Sequence, residues 1–254
     1  MGIAKTDLPG TRAEWQALAG SLRLRNQAFI DGRYVDAASG KRFDCVSPID
    51  GRVLTQVSEC GPEDVERAVA AARRAFDQGS WSNASPVERK RKLLQLARLL
   101  EQNAIEFALL ETLDMGKPIG DSVSFDVQAS LRCFEWTAEA IDKVFDQIAP
   151  TGQNELGMIT HEPLGVVAAI VPWNFPLLMA AWKVAPALAM GNSVLLKPSE
   201  KSPLSALRLA ELVAEAGIPD GVFNVLPGFG QGCGEAMALH MDVDGLVFTG
   251  STAV

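Results

Sequence analysis

Apolar residues recur along this chain with two different rhythms, and the change from one to the other divides it. In the first part the spacing is helical. Leu93, Leu96, Ala97 and Leu100 fall on one face of a helix opened by Ser85-Pro86-Val87-Glu88, with serine as N-cap, proline at the first helical position and glutamate completing a capping box. Pro62 opens an earlier helix near Glu63 to Phe76, and Met115-Gly116-Lys117-Pro118 stops a third, with glycine as its C-cap. A long helix is expected from about Asp121 to Phe145. Ahead of these, Phe29 to Val35 reads as a hairpin turning at Asp31-Gly32, and Val53 to Val57 as a further strand.

From Leu164 onward the rhythm becomes strand, helix, strand, helix. Strands are predicted at Leu164 to Val171, Ser193 to Lys197, Val222 to Leu226 and Gly245 to Thr249, with a helical pattern from Leu177 to Met190. The first strand is almost continuously apolar, as in strands buried on both faces of a parallel sheet. The expected fold class is α/β: a Rossmann-like parallel sheet with flanking helices, plus an N-terminal hairpin and helical segment. Three parts are expected: residues 1–146 as hairpin and helices, 147–162 as extended bridging structure, and 163–254 as a nucleotide-binding part. Neither an internal repeat nor a low-complexity tract interrupts them.

Composition narrows the function. The chain has 254 residues, 48% hydrophobic and 21% charged, enough for a sizeable core. A formal charge of -8 argues against a nucleic-acid partner, and Arg89-Lys90-Arg91-Lys92 reads as the solvated face of a helix. No apolar run approaches the ~20 residues of a membrane span, and no signal-peptide layout opens the chain, so a cytoplasmic protein without a membrane partner is expected. Met1-Gly2-Ile3-Ala4-Lys5-Thr6 matches only the bare myristoylation pattern. Cys45, Cys60, Cys133 and Cys233 form no Cys-x-x-Cys pair and read as reduced thiols, and with only His161 and His240 no metal site is expected.

The candidate chemistry gathers where strands end. Ile170-Val171-Pro172-Trp173-Asn174-Phe175-Pro176 sets an amide in an apolar, proline-braced turn between a buried strand and a helix, where α/β sheets place their ligands. Asn174 reads either as a cap of that helix or as an aimed hydrogen-bond donor. Lys197-Pro198-Ser199-Glu200 follows the second strand, where a dinucleotide fold presents a carboxylate to a ribose. Gly228, Gly230, Gly232 and Gly234 follow the third strand and serve either close backbone approach or merely a tight loop. Phe175, Leu178 and Trp182, at helical spacing, read as core or as the lining of a site.

These strings, joined by Leu110-Glu111-Thr112-Leu113-Asp114-Met115-Gly116-Lys117-Pro118 and Phe248-Thr249-Gly250-Ser251, stand in the order and spacing of one family. From about Ala28 to the last residue the chain resembles the N-terminal half of NAD(P)-dependent aldehyde dehydrogenases. It is most similar to the branch acting on γ-glutamyl-γ-aminobutyraldehyde and related amino- or guanidino-aldehydes. The resemblance implies a truncated form of that fold, a small-molecule aldehyde substrate, NAD in preference to NADP, and a role in polyamine catabolism. It also implies a homodimer or homotetramer at full length, using strands within 147–162.

By the same resemblance Asn174 donates to the oxyanion, and Lys183 lies near the deacylation machinery unless it is simply a surface lysine. Ile170, Pro172, Trp173, Lys197, Ser199, Glu200, Gly230, Gly234, Phe248, Gly250, Ser251 and Val254 meet the cofactor. Phe175, Leu178 and Trp182 line the aldehyde tunnel, and Asp121 and Asp126 greet a cationic substrate tail at its mouth. The family's nucleophilic cysteine and water-activating glutamate lie downstream of any motif found here. Cys233 falls at the cofactor's phosphate end, so the chain alone is expected to be inactive. The alternative is a nucleotide-binding fragment or structural relative without activity. An acyl-phosphate or acyl-CoA reductase is disfavoured by Pro172-Trp173-Asn174-Phe175-Pro176.

Overall fold

Asp31 (φ 53°) and Gly32 (φ 76°) both take the left-handed backbone that a two-residue hairpin requires, joining β1 (Ala28–Ile30) to β2 (Arg33–Val35) in antiparallel register. Glycine is needed at 32 for space as well, since a Cβ there would lie 2.0 Å from Asp220 Oδ1. The computed structural model describes residues 8–251, so the Met1–Thr6 pattern and Val254 lie outside the described residues.

The parallel strands are β7 (Val166–Ile170), β8 (Ser193–Lys197), β9 (Phe223–Val225) and β10 (Gly245–Phe248). Among the described residues six strands form the main sheet in the order β10-β7-β8-β9-β1-β2, with the hairpin added antiparallel to β9. The fold is therefore mixed α/β, as the alternating rhythm predicted, and the hairpin extends the parallel sheet. β7 is shorter than expected: Leu164 is exposed, Gly165 has φ 134°, and pairing starts at Val166.

Helices cover both faces. α2 (Pro62–Asp77) packs Ala68, Val69 and Ala72 with Val166, Ala168 and Leu195. On the other face lie α3 (Pro86–Gln102), α4 (Ala104–Met115), α6 (Val127–Ala140), α7 (Pro176–Ala189) and α8 (Leu204–Glu215), where Leu177, Val184 and Leu188 join Ala169, Val194 and Leu196. Alternate strand residues thus serve opposite faces, and each buried Leu or Val contributes ~1.5–3 kcal/mol. α4 ends at Gly116 (φ 79°), the glycine stop read from the sequence.

Four expectations need correction. The stretch from Asp121 to Phe145 is not one helix but α5 (Ile119–Asp121), a π-helical segment Ser122–Asp126, α6 and a 3₁₀ turn Ile141–Lys143. The wider turn faces buried Ser122 and Asp126 toward the α4 side, where Ser122 Oγ meets Thr112 Oγ1 at 3.2 Å and Asp126 pairs with Lys117. The capping box at Ser85 is only half formed: Ser85 Oγ accepts Glu88 N at 3.2 Å, while the Glu88 side chain lies 3.7 Å from Lys92. Arg89, Lys90 and Lys92 are engaged rather than freely solvated, with Arg89 Nε donating to Ala189 O and Lys90 bridging Glu139 and Asp142. Finally, α1 (Arg12–Ser21), closed by a Thr11/Glu14 capping box, and β3 (Arg42–Val46), paired with β4 (Val53–Ser58), were not foreseen.

The bridging stretch contains a second hairpin, β5 (Gln147–Ala149) with β6 (Gly157–Ile159), which leaves Ile148, Met158 and Ile159 exposed. A glycine turn, Gly230–Gly234, leads into the short α9 (Glu235–Leu239). Among the described residues no helix is long and apolar enough to cross a membrane.

Candidate active site at the strand ends

β10, β7 and β8 finish side by side, with Ile170 paired to Phe248 on one flank and to Lys197 on the other. The chain leaving β7 stays pinned for one more step, because Val171 N bonds Lys197 O and Thr249 N bonds Ile170 O, each at 3.1 Å. Pro172 and Pro176 then frame the turn. The N-cap of α7 is Phe175, and no side chain caps it. Asn174 is exposed, and its amide has no hydrogen-bond partner among the described residues, so the capping reading fails for this residue.

Lys183, one helical stretch later, is 7% exposed and donates to Thr249 Oγ1 at 2.7 Å. It is therefore not a surface lysine, and burial pushes its pKa down. The apolar stripe divides. Leu178 is core, Trp182 is exposed, and Phe175 is half-buried beside the Phe125 ring, 6.3 Å between centroids.

After β8 the chain turns with Lys197 almost wholly buried, its ammonium donating to Pro198 O at 2.8 Å and its pKa lowered by desolvation. Ser199 Oγ accepts Lys201 N at 3.2 Å, which shapes the turn. Glu200 is half-buried and its carboxylate has no hydrogen-bond or ion-pair partner among the described residues. It lines a cleft of about 520 Å³ together with Trp173, Lys201, Phe229 and Phe43. Gly234 borders this floor, where a Cβ would make ordinary van der Waals contact, 3.4 Å from Lys197 Cδ and Cε and 3.8 Å from Ile170 Cδ1. Gly230 has open space where a Cβ would project, and Ser251 is exposed beyond β10. Gly250 abuts the Phe248 ring, which a Cβ would meet at 2.2 Å.

The aldehyde dehydrogenase family model matches residues 34–254. The chain belongs to the aldehyde dehydrogenase family. It is 53% identical over 240 residues to the NADP/NAD-dependent aldehyde dehydrogenase PuuC of Escherichia coli, covering 94% of this chain and 48% of that protein. The solved structure of γ-glutamyl-γ-aminobutyraldehyde dehydrogenase from Burkholderia cenocepacia superposes with a TM-score of 0.93 at 60% identity, covering 95% of this chain and 49% of the other. The P. syringae indole-3-acetaldehyde dehydrogenase AldA, in complex with NAD⁺, superposes with a TM-score of 0.95 at 59% identity, covering 96% of this chain and 50% of the other. The chain spans about half the length of the curated relatives it matches.

For an aldehyde dehydrogenase the state of the thiols matters, because only a thiolate attacks an aldehyde. Burial pushes the Cys233 thiol up to about 12 and raises Cys45, Cys60 and Cys133 as well. Cys233 lies within the glycine turn, and desolvation outweighs the favourable charge of Lys197. Asp126 also departs from expectation. It is fully buried and paired with Lys117, so it does not greet a substrate tail, whereas Asp121 is exposed.

Sequence reasoning missed that Glu111, Asp114 and Asp126 are buried ionisable side chains next to this site, with the half-buried Lys117 paired to Asp126. Glu111 is fully buried with Oε1 accepting Leu177 N at 3.2 Å, and Asp114 accepts Leu204 N at 2.8 Å and the Cys45 thiol at 3.0 Å. Burial pushes Glu111 up to about 8 and Asp114 to about 7. A signal existed. The two acids stand three apart among the apolar residues of α4, where a carboxylate has to find a partner to be tolerated.

Proposed function

We propose that an enzyme carrying this chain as its N-terminal half oxidises a small aldehyde to the carboxylic acid, with NAD as hydride acceptor and Asn174 as a donor to the aldehyde oxygen. The observation that carries this is the exposed, unpartnered amide of Asn174 on a turn that both neighbouring strands pin. A donor fixed in advance stabilises charge as it develops on oxygen and pays no reorganisation cost at that moment. The strand ends fit a dinucleotide. Glu200 has acceptors free for ribose hydroxyls, Lys197 supplies a desolvated ammonium beside it, and Gly230 and Gly234 leave room for a pyrophosphate near the backbone. Pro172, Trp173, Ile170 and Phe248 give the nicotinamide side an apolar wall, and Gly250 and Ser251 face the phosphates; NAD, when bound, supplies the hydride acceptor.

Lys183 and Thr249 form a polar pair behind the wall, and Phe175 and Trp182 border the aldehyde's approach. The relatives named above favour an amino-, guanidino- or γ-glutamylamino-butyraldehyde as substrate. The exposed apolar hairpin β5–β6 suits a cytoplasmic homodimer or homotetramer. For the 254 residues alone, the raised thiols favour a second reading, a nucleotide-binding piece with no turnover. Two measurements test these statements. The isolated chain should form no NADH from aminobutyraldehyde-type substrates above the buffer background. In an enzyme of family length, Asn174→Ala should lower kcat by ~10²–10³ while NAD binding changes little. Unchanged turnover in that variant would remove Asn174 from the mechanism.

A further inference from the structure

The turn that presents Asn174 is gripped from behind by charged groups that neither cap nor cofactor explains. Glu111 Oε1 takes the N–H of Leu177, one of the amides that α7 leaves unsatisfied at its start. Lys117 Nζ sits 3.8 Å above the Phe175 ring and pairs with Asp126, which the π-helical segment turns inward. Phe125, from the same segment, packs on Phe175 edge-on. The neighbour of Asn174 and the residue three beyond it are therefore both held, while the amide itself is left untouched.

Stability alone is a poor account of this arrangement. Asp126 is fully buried and Lys117 mostly so, and taking such an ion pair out of water costs several kcal/mol per ion, while Glu111 is buried beside it; apolar residues of the same shape commonly serve a core as well or better. The group is not even fully satisfied, since Glu111 Oε2 and Asp126 Oδ1 are buried without a hydrogen-bond partner. The Ser205 hydroxyl is close enough to Glu111 to favour its charged form slightly, yet Ser205 Oγ also lacks a bond of proper geometry. What the group does supply is orientation, because a hydrogen bond, an ion pair and a ring contact each constrain where the turn sits.

We propose that Glu111, supported by Lys117 and Asp126, is a positioning residue for the oxyanion donor: it sets the first turn of α7 so that the Asn174 amide is aimed before the aldehyde arrives. This rests on the reading of Asn174 given above. Burial favours the protonated Glu111 carboxyl, and its carbonyl oxygen still accepts the Leu177 N–H in that form. An amide of the same shape should therefore replace it.

The test is a double-mutant cycle in an enzyme of family length. A donor misplaced by ~1 Å costs up to ~10²-fold, so Glu111→Ala should lower kcat by ~10- to 100-fold with KM for NAD nearly constant. Added to Asn174→Ala, the same substitution should cost less than about two-fold more, because its effect runs through a donor already removed. Glu111→Gln should keep at least about half of the wild-type kcat, since its oxygen retains the bond to Leu177. If Glu111→Ala does not fold, Lys117→Met with Asp126→Asn, a neutral pair of similar shape, takes its place in the same cycle. Wild-type kcat in the substituted enzyme, or losses that simply multiply with Asn174→Ala, would overturn the proposal. An Asn174→Ala enzyme with full turnover would instead overturn the donor reading, a separate result.

Discussion

The turns that leave β7 and β8 start from neighbouring parallel strands, and the helices they enter, α7 and α8, both begin without a side-chain cap of their own. Each receives one from α4 instead: Glu111 reaches Leu177 N, and Asp114 reaches Leu204 N. The likeness stops at the second carboxylate oxygen. Asp114 Oδ1 is bonded to the Cys45 thiol, whereas Glu111 Oε2 has no partner. A fully bonded buried carboxylate stabilises the helix start it serves. An incompletely bonded one has to be accounted for by something other than stability. The outward sides differ as well. The first turn offers an amide that can donate, suited to growing negative charge, and the second offers a carboxylate that can only accept, suited to hydroxyls.

The sharpest way to break this comparison is to reverse the first turn. Asn174→Asp keeps the shape but turns a donor into an acceptor, so in an enzyme of family length kcat should fall by at least ~10³, with the melting temperature almost unmoved. A fall in melting temperature without loss of kcat would make the two turns alike. Next comes the outward group of the second turn. A 2′-phosphate ~4 Å from Glu200 is repelled by about 4 kcal/mol per charge pair at an effective dielectric near 20, less whatever a swing of the side chain relieves. Wild type should thus prefer NAD to NADP by ~10²-fold in kcat/KM, and Glu200→Gln should bring the ratio below about ten. A ratio that the substitution does not move would take Glu200 away from the ribose.

The third effect tests Asp114 as a purely structural group. Asp114→Ala strands Leu204 N and the Cys45 thiol and should cost about 2 kcal/mol, a fall of ~4–8 °C in melting temperature for a domain of this size, with kcat retained in the folded enzyme. The last effect is the pH dependence of stability. Both carboxyls have folded pKa values above their usual range, Glu111 about 8 and Asp114 about 7, chiefly through burial. The folded state therefore holds more protons than the unfolded state between about pH 4 and pH 8, and stability falls as pH rises through that window. Urea unfolding at pH 5.5 and at pH 8 should show this slope, and Glu111→Gln with Asp114→Asn should flatten it. An unchanged slope would assign the pH dependence to other groups.

Most of the parallel sheet was legible because its strands are short apolar runs bounded by glycine and proline, and Ser193–Lys197 has the bounds the pattern predicted. The hairpin was legible from Asp31-Gly32, whose backbone leaves few alternatives. β3 was not, since Arg42–Val46 mixes charged and apolar residues and owes its strand to pairing with β4. At the site, Asn174 and Lys183 could be picked out as polar residues against an apolar background, and Glu200 by its place just after a buried strand. Their surroundings could not. Whether Asn174 caps a helix depends on a hydrogen bond that is absent, and whether Lys183 is buried depends on Thr249, 66 residues away. Asp126 misled because a charged residue on a helix is usually solvated, and only the π-helical turn reveals that it faces Lys117.

That turn also makes the site unusually sensitive to sequence length. Each residue of an α-helix advances the next by about 100°, so deleting one residue between Ser122 and Asp126 would restore a regular helix and rotate everything on one side of it. Asp126 would swing off Lys117, leaving a half-buried cation unanswered beside Phe175, while α6 would have to shift its apolar face against α3 and α7. A substitution at the exposed Ser124 should be tolerated, but a single-codon deletion in this stretch should not, because the extra residue is what lets one helix serve two masters: the core it packs on and the turn it helps to aim.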